Sequence, residues 1–318
     1  MPNNIKPSQS KPSVLKESAI IVLKALGMGA ADTVPGVSGG TIAILTGIYQ
    51  RLIMLITSFD HHWFKLVFTG KFKQAIDKID WAFLIPFFIG IASGVLLLAK
   101  IVDYLLEHYP PVIWAGFCGL LIISSIYLLK QYARKRPFEW LMFAVGVAFA
   151  TWLSFQSGIS LDFNNPLHLF FAGSIAICAM ILPGISGSFI LLLLGLYEPV
   201  IERVAHPERI LELWPFMIGA LFGILSFSHL LKWLLNKFEH LVMMLLTGFI
   251  IGALVKVWPW QFTPEHSLNT VWYLPQQYAK VTQTDHFMIT SVICCLLTMF
   301  AVFAISYWSS VKSNKKTN

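Results

Sequence analysis

Apolar residues run along this chain in long unbroken stretches rather than in the short alternations of a half-buried strand. Uncharged apolar stretches occupy residues 81–99, 112–129, 140–155, 214–231, 241–255 and 287–308. Each is read as a crossing helix, some needing flanking residues to reach across about 30 Å of hydrocarbon. Two further regions, 14–57 and 167–204, are apolar on both sides of a central Pro-Gly. Proline and glycine in that position predict two half-length helices in each region rather than one continuous span.

The two broken regions carry related sequences. Residues 35–49 read "PGVSGGTIAILTGIY" and residues 183–197 read "PGISGSFILLLLGLY". Setting Pro35 on Pro183 also matches Gly36 with Gly184, Ser38 with Ser186, Gly39 with Gly187, Gly47 with Gly195 and Tyr49 with Tyr197. A second register sets "PFFIGIASG" (86–94) on "PFMIGALFG" (215–223), and carries Leu105-Leu106 onto Leu234-Leu235 and Gly119 onto Gly248. An extra polar segment around 59–80 accounts for the change of register. Two matches in the same order predict an internal duplication, each half one broken element followed by three spans.

The expected architecture is therefore an all-α polytopic membrane protein built as two inverted repeats, each a re-entrant broken-helix hairpin plus three transmembrane helices. The first repeat covers 14–160, with its broken element at 14–57 and spans near 81–107, 111–130 and 138–156. The second covers 161–310, with its broken element at 167–204 and spans near 213–236, 240–258 and 287–309. Tails at 1–13 and 311–318 complete the chain.

Composition agrees with lipid as the solvent. Of 318 residues 56% are hydrophobic and 12% charged, and the mean hydropathy is +0.69. A soluble domain carries about a quarter charged residues. Cys118, Cys178, Cys294 and Cys295 all lie in apolar runs without a metal-ligand spacing, so neither a disulfide framework nor a metal site is expected. Lys6, Lys11 and Lys16, an apolar run from Ala19 and "GMGAAD" have the outline of a secretory signal. Lys24 interrupts that run and the first motif follows at once, so the segment is expected to remain.

The net charge of +7 acquires a meaning from its distribution. With both broken elements re-entrant, Lys6 to Lys24, Lys65 to Lys78, Lys130 to Arg136, Lys232, Lys237 and Lys312 to Lys316 fall on one face. Arg203, Arg209, Lys256 and Lys280 fall on the other. That asymmetry predicts cytoplasmic termini, and three spans per half make the halves inverted. The charge is thus a topology signal and not a nucleic-acid footprint. Trp63, Trp81, Trp114, Trp140, Trp214, Trp258, Trp260 and Trp308 stand near span ends, as an aromatic belt requires.

A half-helix beginning inside the membrane presents free N–H groups and a partial positive charge. Ser38, Gly39, Gly40 and Thr41, with Ser186, Gly187 and Ser188, supply small residues and hydroxyl donors suited to an anion such as a phosphate. Inversion would set the two motifs facing each other near the midplane, where secondary transporters place their substrate. Tight packing of short helices is the other reading of the same residues. Asp32, whose counterpart is Met180, is either an ion-coupling carboxylate or a helix cap. Lys100 and Asp103, aligned with His229 and Lys232, line a charged path or snorkel at a span end. Arg51 pairs with an anionic headgroup or sits at the cytoplasmic interface.

These residues carry a resemblance. "GAADTVPGVSGGTIAILTGIY" with "LPGISGSFILLLLGLYE" closely resembles the two signatures of the PopT family of bacterial polyprenyl-phosphate transporters, over roughly residues 17–310. The resemblance implies that undecaprenyl phosphate is returned across the bacterial cytoplasmic membrane for cell-envelope synthesis; no cofactor is expected, and coupling to H+ or Na+ is one of the open roles of Asp32. It assigns Asp32, Pro35, Gly36, Ser38, Gly39 and Gly40 to the first signature, and Pro183, Gly184, Ser186 and Gly187 to the second. The expected partners are that lipid, bulk membrane lipids and, in a homo-oligomer, further copies of the chain; no nucleic acid is expected.

Two other readings use the same elements. Membrane-embedded undecaprenyl-pyrophosphate phosphatases have similar re-entrant loops, but with an arginine after the serine and a glutamate-rich metal motif. Here Gly39 and Gly187 hold that place, and without Arg, Lys or metal a phosphoryl-transfer transition state lacks charge stabilisation. The expectation is no enzyme. A small-anion transporter or channel fits the half-helix logic equally, and only the family resemblance ranks it lower.

Overall fold

The computed structural model describes residues 14–32, 38–156, 159, 161–262 and 271–314, with backbone alone at 14, 98–100, 102–103, 205, 207 and 304–314. Pro35 and Gly36 of the first motif, and the side chains of Lys100 and Asp103, lie outside the described residues.

Nearly all of the described chain is helical. The first broken element comprises α1 (Val14–Asp32), α2 (Gly39–Leu45) and α3 (Tyr49–Ile56), and α2 and α3 meet at 116°. The second comprises α9 (Pro166–Ile181), α10 (Gly187–Leu193) and α11 (Tyr197–Ala205). Each element is thus a long arm, a seven-residue return helix and a third helix, where two half-length helices were expected. Both return helices stop alike, at Gly47 (φ 72°) and Gly195 (φ 67°). There the Ile48 amide reaches the Ala43 carbonyl, as the Leu196 amide reaches that of Leu191, each at 2.9 Å. A left-handed residue is needed to fold the chain back onto the last carbonyls, and glycine adopts it without a Cβ clash.

Between the elements lie α4 (His61–Phe68) and α5 (Phe72–Asp77), then α6 (Trp81–His108), α7 (Pro110–Tyr132) and α8 (Pro137–Ser154). The second half continues with α12 (Trp214–Gly252), α13 (Pro275–Thr282) and α14 (Met288–Asn314). Starts follow local chemistry. Asp80 accepts the Phe83 amide at α6, Asn165 that of Leu167 at α9, and Pro110, Pro137 and Pro166 open their helices.

Three of the described helices are long and apolar enough to cross a membrane: Pro110–Tyr132, Pro137–Ser154 and the run Glu208–Val257. Trp81–Leu97, Pro166–Ile181 and Met288–Phe303 are shorter apolar stretches. The expected spans at 213–236 and 240–258 form one element, broken at Phe238, whose φ of −137° and ψ of 41° leave the helical region. Of the residues expected as the C-terminal tail, 311–314 continue α14. A two-stranded ribbon, β1 (Gln261–Phe262) and β2 (Val271–Trp272), and α13 fill a stretch read as connection.

Small residues set the packing. α1 crosses α6 at Gly90 and Gly94, where added methyls would stand 2.5 Å from the Val22 carbonyl oxygen and 2.3 Å from that of Leu26. α9 crosses α12 at Gly219 and Gly223, where they would stand 1.9 Å from the Phe170 oxygen and 2.6 Å from that of Ser174. In the registers above Gly90 aligns with Gly219, Gly94 with Gly223, Val22 with Phe170 and Leu26 with Ser174, so all four contacts correspond. The second crossings are exchanged between halves. Gly119 on α7 abuts Cys295 on α14, while its counterpart Gly248 on α12 abuts Phe143 on α8. Such glycine-lined crossings bring backbones together where no hydrophobic force separates helix from lipid. Large apolar side chains face outward, among them Leu96 at 74%, Leu221 at 58% and Phe300 at 70% exposure, a surface suited to lipid.

Candidate functional site

Residues 38–41 of the first motif meet residues 182–184 of the second. Ser38, the residue before α2, donates through its hydroxyl to the Leu182 carbonyl at 3.0 Å. The Gly184 amide donates to the Thr41 hydroxyl at 3.0 Å. Ser38, Thr41 and Ser186 are buried, and Gly40 stands so close to the end of α9 that a methyl there would meet the Ile181 carbonyl oxygen at 2.8 Å. Gly184 (φ 79°) touches α12, where a methyl would stand 2.7 Å from the Phe249 carbonyl oxygen. Ser38, Gly40, Thr41 and Gly184 are thus brought together as two small-residue turns in direct contact.

The turns are not equivalent inside. Asp32 ends α1, and its Oδ1 accepts the Gly39 amide at 2.8 Å, while its buried Oδ2 has no partner among the described residues. The first N–H of α2 is therefore capped by the chain's own carboxylate. At the matching place beside Gly187 stands apolar Met180. Ser186 shares a hydrogen bond of 2.7 Å with Ser188 and faces a void of about 10 Å³ bordered by Phe189 and Lys256. The Lys256 ammonium lies 4.1 Å from the centre of the Phe189 ring. Lys256 is the residue that sequence reasoning placed only by side and not by site. Its signal is a lone cation closing an apolar helix.

Other expected site residues fall elsewhere. The Arg51 guanidinium is engaged by two carboxylates, Nε and Nη2 with Asp80 at 2.8 and 3.2 Å and Nη1 with Glu17 at 2.8 Å, and it stacks on Phe83. That ties α1, α3 and α6 together. His229 is exposed on α12 and bonds the Leu225 carbonyl one turn back, at 2.7 Å. Among the described residues no group of three or more metal-ligating side chains occurs, and the four cysteines are free.

The profile of the "Undecaprenyl phosphate translocase-like" family matches residues 28–273, which include both motifs. The chain belongs to this family. It is 41% identical over 248 residues to a polyprenyl-phosphate transporter of Vibrio cholerae, covering 78% of this chain and 80% of that one. It is 32% identical over 258 residues to a polyprenyl-phosphate transporter of Staphylococcus aureus, covering 76% and 86%. Family and relatives bear the names of transporters rather than enzymes. No solved structure matches the chain.

Proposed function

We propose that the chain carries a polyprenyl phosphate, undecaprenyl phosphate above all, between the leaflets of the bacterial cytoplasmic membrane, with the phosphate held between the two Pro-Gly turns. The observation that carries this reading is the contact of the two turns through Ser38, Leu182, Thr41 and Gly184. It gathers small residues and hydroxyl donors from both halves at one place. The names of the relatives supply the substrate class. The cradle so assigned comprises Pro35, Gly36, Ser38, Gly39, Gly40 and Thr41 with Pro183, Gly184, Ser186, Gly187 and Ser188, and Lys256 adds the charge at its edge. The matched glycine crossings and the exchanged second crossings support two inverted repeats about this centre, and the distribution of Lys and Arg supports termini in the cytoplasm.

Asp32 joins the two readings left open by the sequence. It is a cap by geometry, and the group it caps is one a phosphate would take. Two anions cannot share that amide, so a headgroup enters when the carboxylate is neutralised or withdrawn. This links a proton or Na+ on Asp32 to the substrate without a dedicated ion site. In sealed vesicles, labelled undecaprenyl phosphate changes leaflet faster with the protein than without, and an imposed proton or Na+ gradient biases the direction. Equal rates with and without protein would refute the function, while release of inorganic phosphate from the pyrophosphate lipid would favour the enzyme reading.

A further inference from the structure

A second place in the molecule has the make-up of a headgroup site. Beside the C-terminal end of α2, away from the paired turns, lies a cavity of about 560 Å³, within the range of small-ligand sites. It is walled by α1, the Thr46–Gly47 turn, the start of α3, the last turns of α7, and Met243 beyond the break in α12. Lys24 lines it, and its ammonium donates to the Thr46 carbonyl. An ammonium has three donors, and that carbonyl takes one. Tyr127 and Gln131 add polar groups, and no carboxylate is among the described lining residues. Glu239 reaches the rim, through the Gln50 amide at 3.3 Å. On the α1 side Ile20 and Leu23 are 45% and 68% exposed, so that wall gives onto lipid.

The other half shows what Lys24 is not needed for. The carbonyl aligned with Thr46 is that of Leu194, and it accepts the Leu161 amide at 3.0 Å, while the Leu193 carbonyl accepts that of Ile159 at 2.6 Å. The residue aligned with Lys24 is fully buried Ala172. Backbone alone satisfies that helix end in the second half and occupies the place. In the first half, among the described residues, a cation meets the corresponding carbonyl instead, a costly choice for an apolar helix.

We propose that this cavity docks a phosphate monoester headgroup carried on an apolar prenyl chain, held by Lys24 with Tyr127 and Gln131, as a station separate from the paired turns. The proposal rests on the transport reading for its lipid. The Lys24 ammonium binds the phosphate oxygens, and the chain leaves sideways past Leu23.

The test uses the full-length protein with Gln50→Cys as a reporter at the rim, labelled by a membrane-impermeant maleimide against the background of the native cysteines. Undecaprenyl phosphate is expected to slow labelling at least fivefold, neutral undecaprenol not at all, and inorganic phosphate only weakly. With Lys24→Met in the reporter, protection is expected to need about tenfold more lipid, the loss of one charge-assisted contact. Lys24→Arg is expected to restore it. Equal protection with Lys24→Met, or by undecaprenol, would overturn the proposal, and protection by inorganic phosphate as strong as by the lipid would overturn its prenyl part. If Lys24→Met does not fold, the comparison of charged lipid with undecaprenol decides alone. An unprotected reporter in protein that still moves the lipid would sink only the docking site. Absence of lipid movement would sink the transport reading itself.

Discussion

Gly39 and Gly187 open the same short helix in the two halves, and a different residue waits behind each. Behind Gly39 is Asp32, which fills the first amide of α2 with a carboxylate. Behind Gly187 is Met180, which offers nothing polar. One turn therefore enters the site already occupied by an anion, and the other enters it with hydroxyls and a neighbouring Lys256. The ends of these helices differ in the same sense, a lysine and a cavity in one half and backbone in the other. On the proposed duplication the two frames began equal, and a few substitutions made them unequal. In a carrier that must hold a phosphate and then release it, inequality between two facing turns gives the substrate a direction to respond to.

The comparison breaks most readily at the glycine crossings, where the halves are expected to behave alike. Gly219→Ala forces a methyl to 1.9 Å from a backbone oxygen and is expected to cost about 1–3 kcal/mol or more in a detergent melt. Gly90→Ala, at 2.5 Å, is expected to follow it closely. A neutral Gly90→Ala would mean that the halves are not packed alike. The motifs are expected to differ instead. Thr41→Val strands the Gly184 amide in a buried place, a loss of about 1–3 kcal/mol. Ser186→Ala removes only a bond to Ser188, and a melt within about 1 kcal/mol of wild type is expected. Asp32→Asn keeps an acceptor for Gly39 and is expected to leave the melt near wild type while abolishing the response of transport to the ion gradient. Retention of that response would leave Asp32 a cap alone.

The smallest effect concerns the polar segment present in the first half only. Burial by itself would raise the Asp60 carboxyl, but the Lys78 ammonium and the Trp63 amide outweigh it and hold the group down at about 2. A lowered carboxyl stabilises the fold above its ordinary range near 4 and loses that contribution as pH falls toward 2. The side chain is about a third exposed, so screening keeps the effect below about 1 kcal/mol. The difference in melting temperature between wild type and Asp60→Asn is expected to be constant from neutral pH to about pH 5 and to shrink below it.

Much of the frame was legible because glycine, proline and charge act locally. The broken regions, the paired registers and the division of α12 near Phe238 all follow from residues that stop or permit a helix in place. What escaped depends on reach. Asp32 caps an amide seven positions along, a pairing that no local pattern states. Lys24 read as an interruption of an apolar run because its partner, the Thr46 carbonyl, is brought near only by the return of α2. The carboxylate partners of Arg51 were not legible because Asp80 lies beyond two intervening helices, and the ribbon at Gln261 and Trp272 has strands too short to show a period.

The central claim is that both turns hold one phosphate, and its most direct test is the leaflet-exchange rate of labelled undecaprenyl phosphate in sealed vesicles. The measurement compares wild type with Ser38→Ala, Ser186→Ala and the double variant, each shown to be folded by its melt. Each single change is expected to slow exchange, and the double change to slow it at least about tenfold, the loss of two hydrogen bonds to a charged group. A folded double variant that exchanges lipid at the wild-type rate would contradict the account.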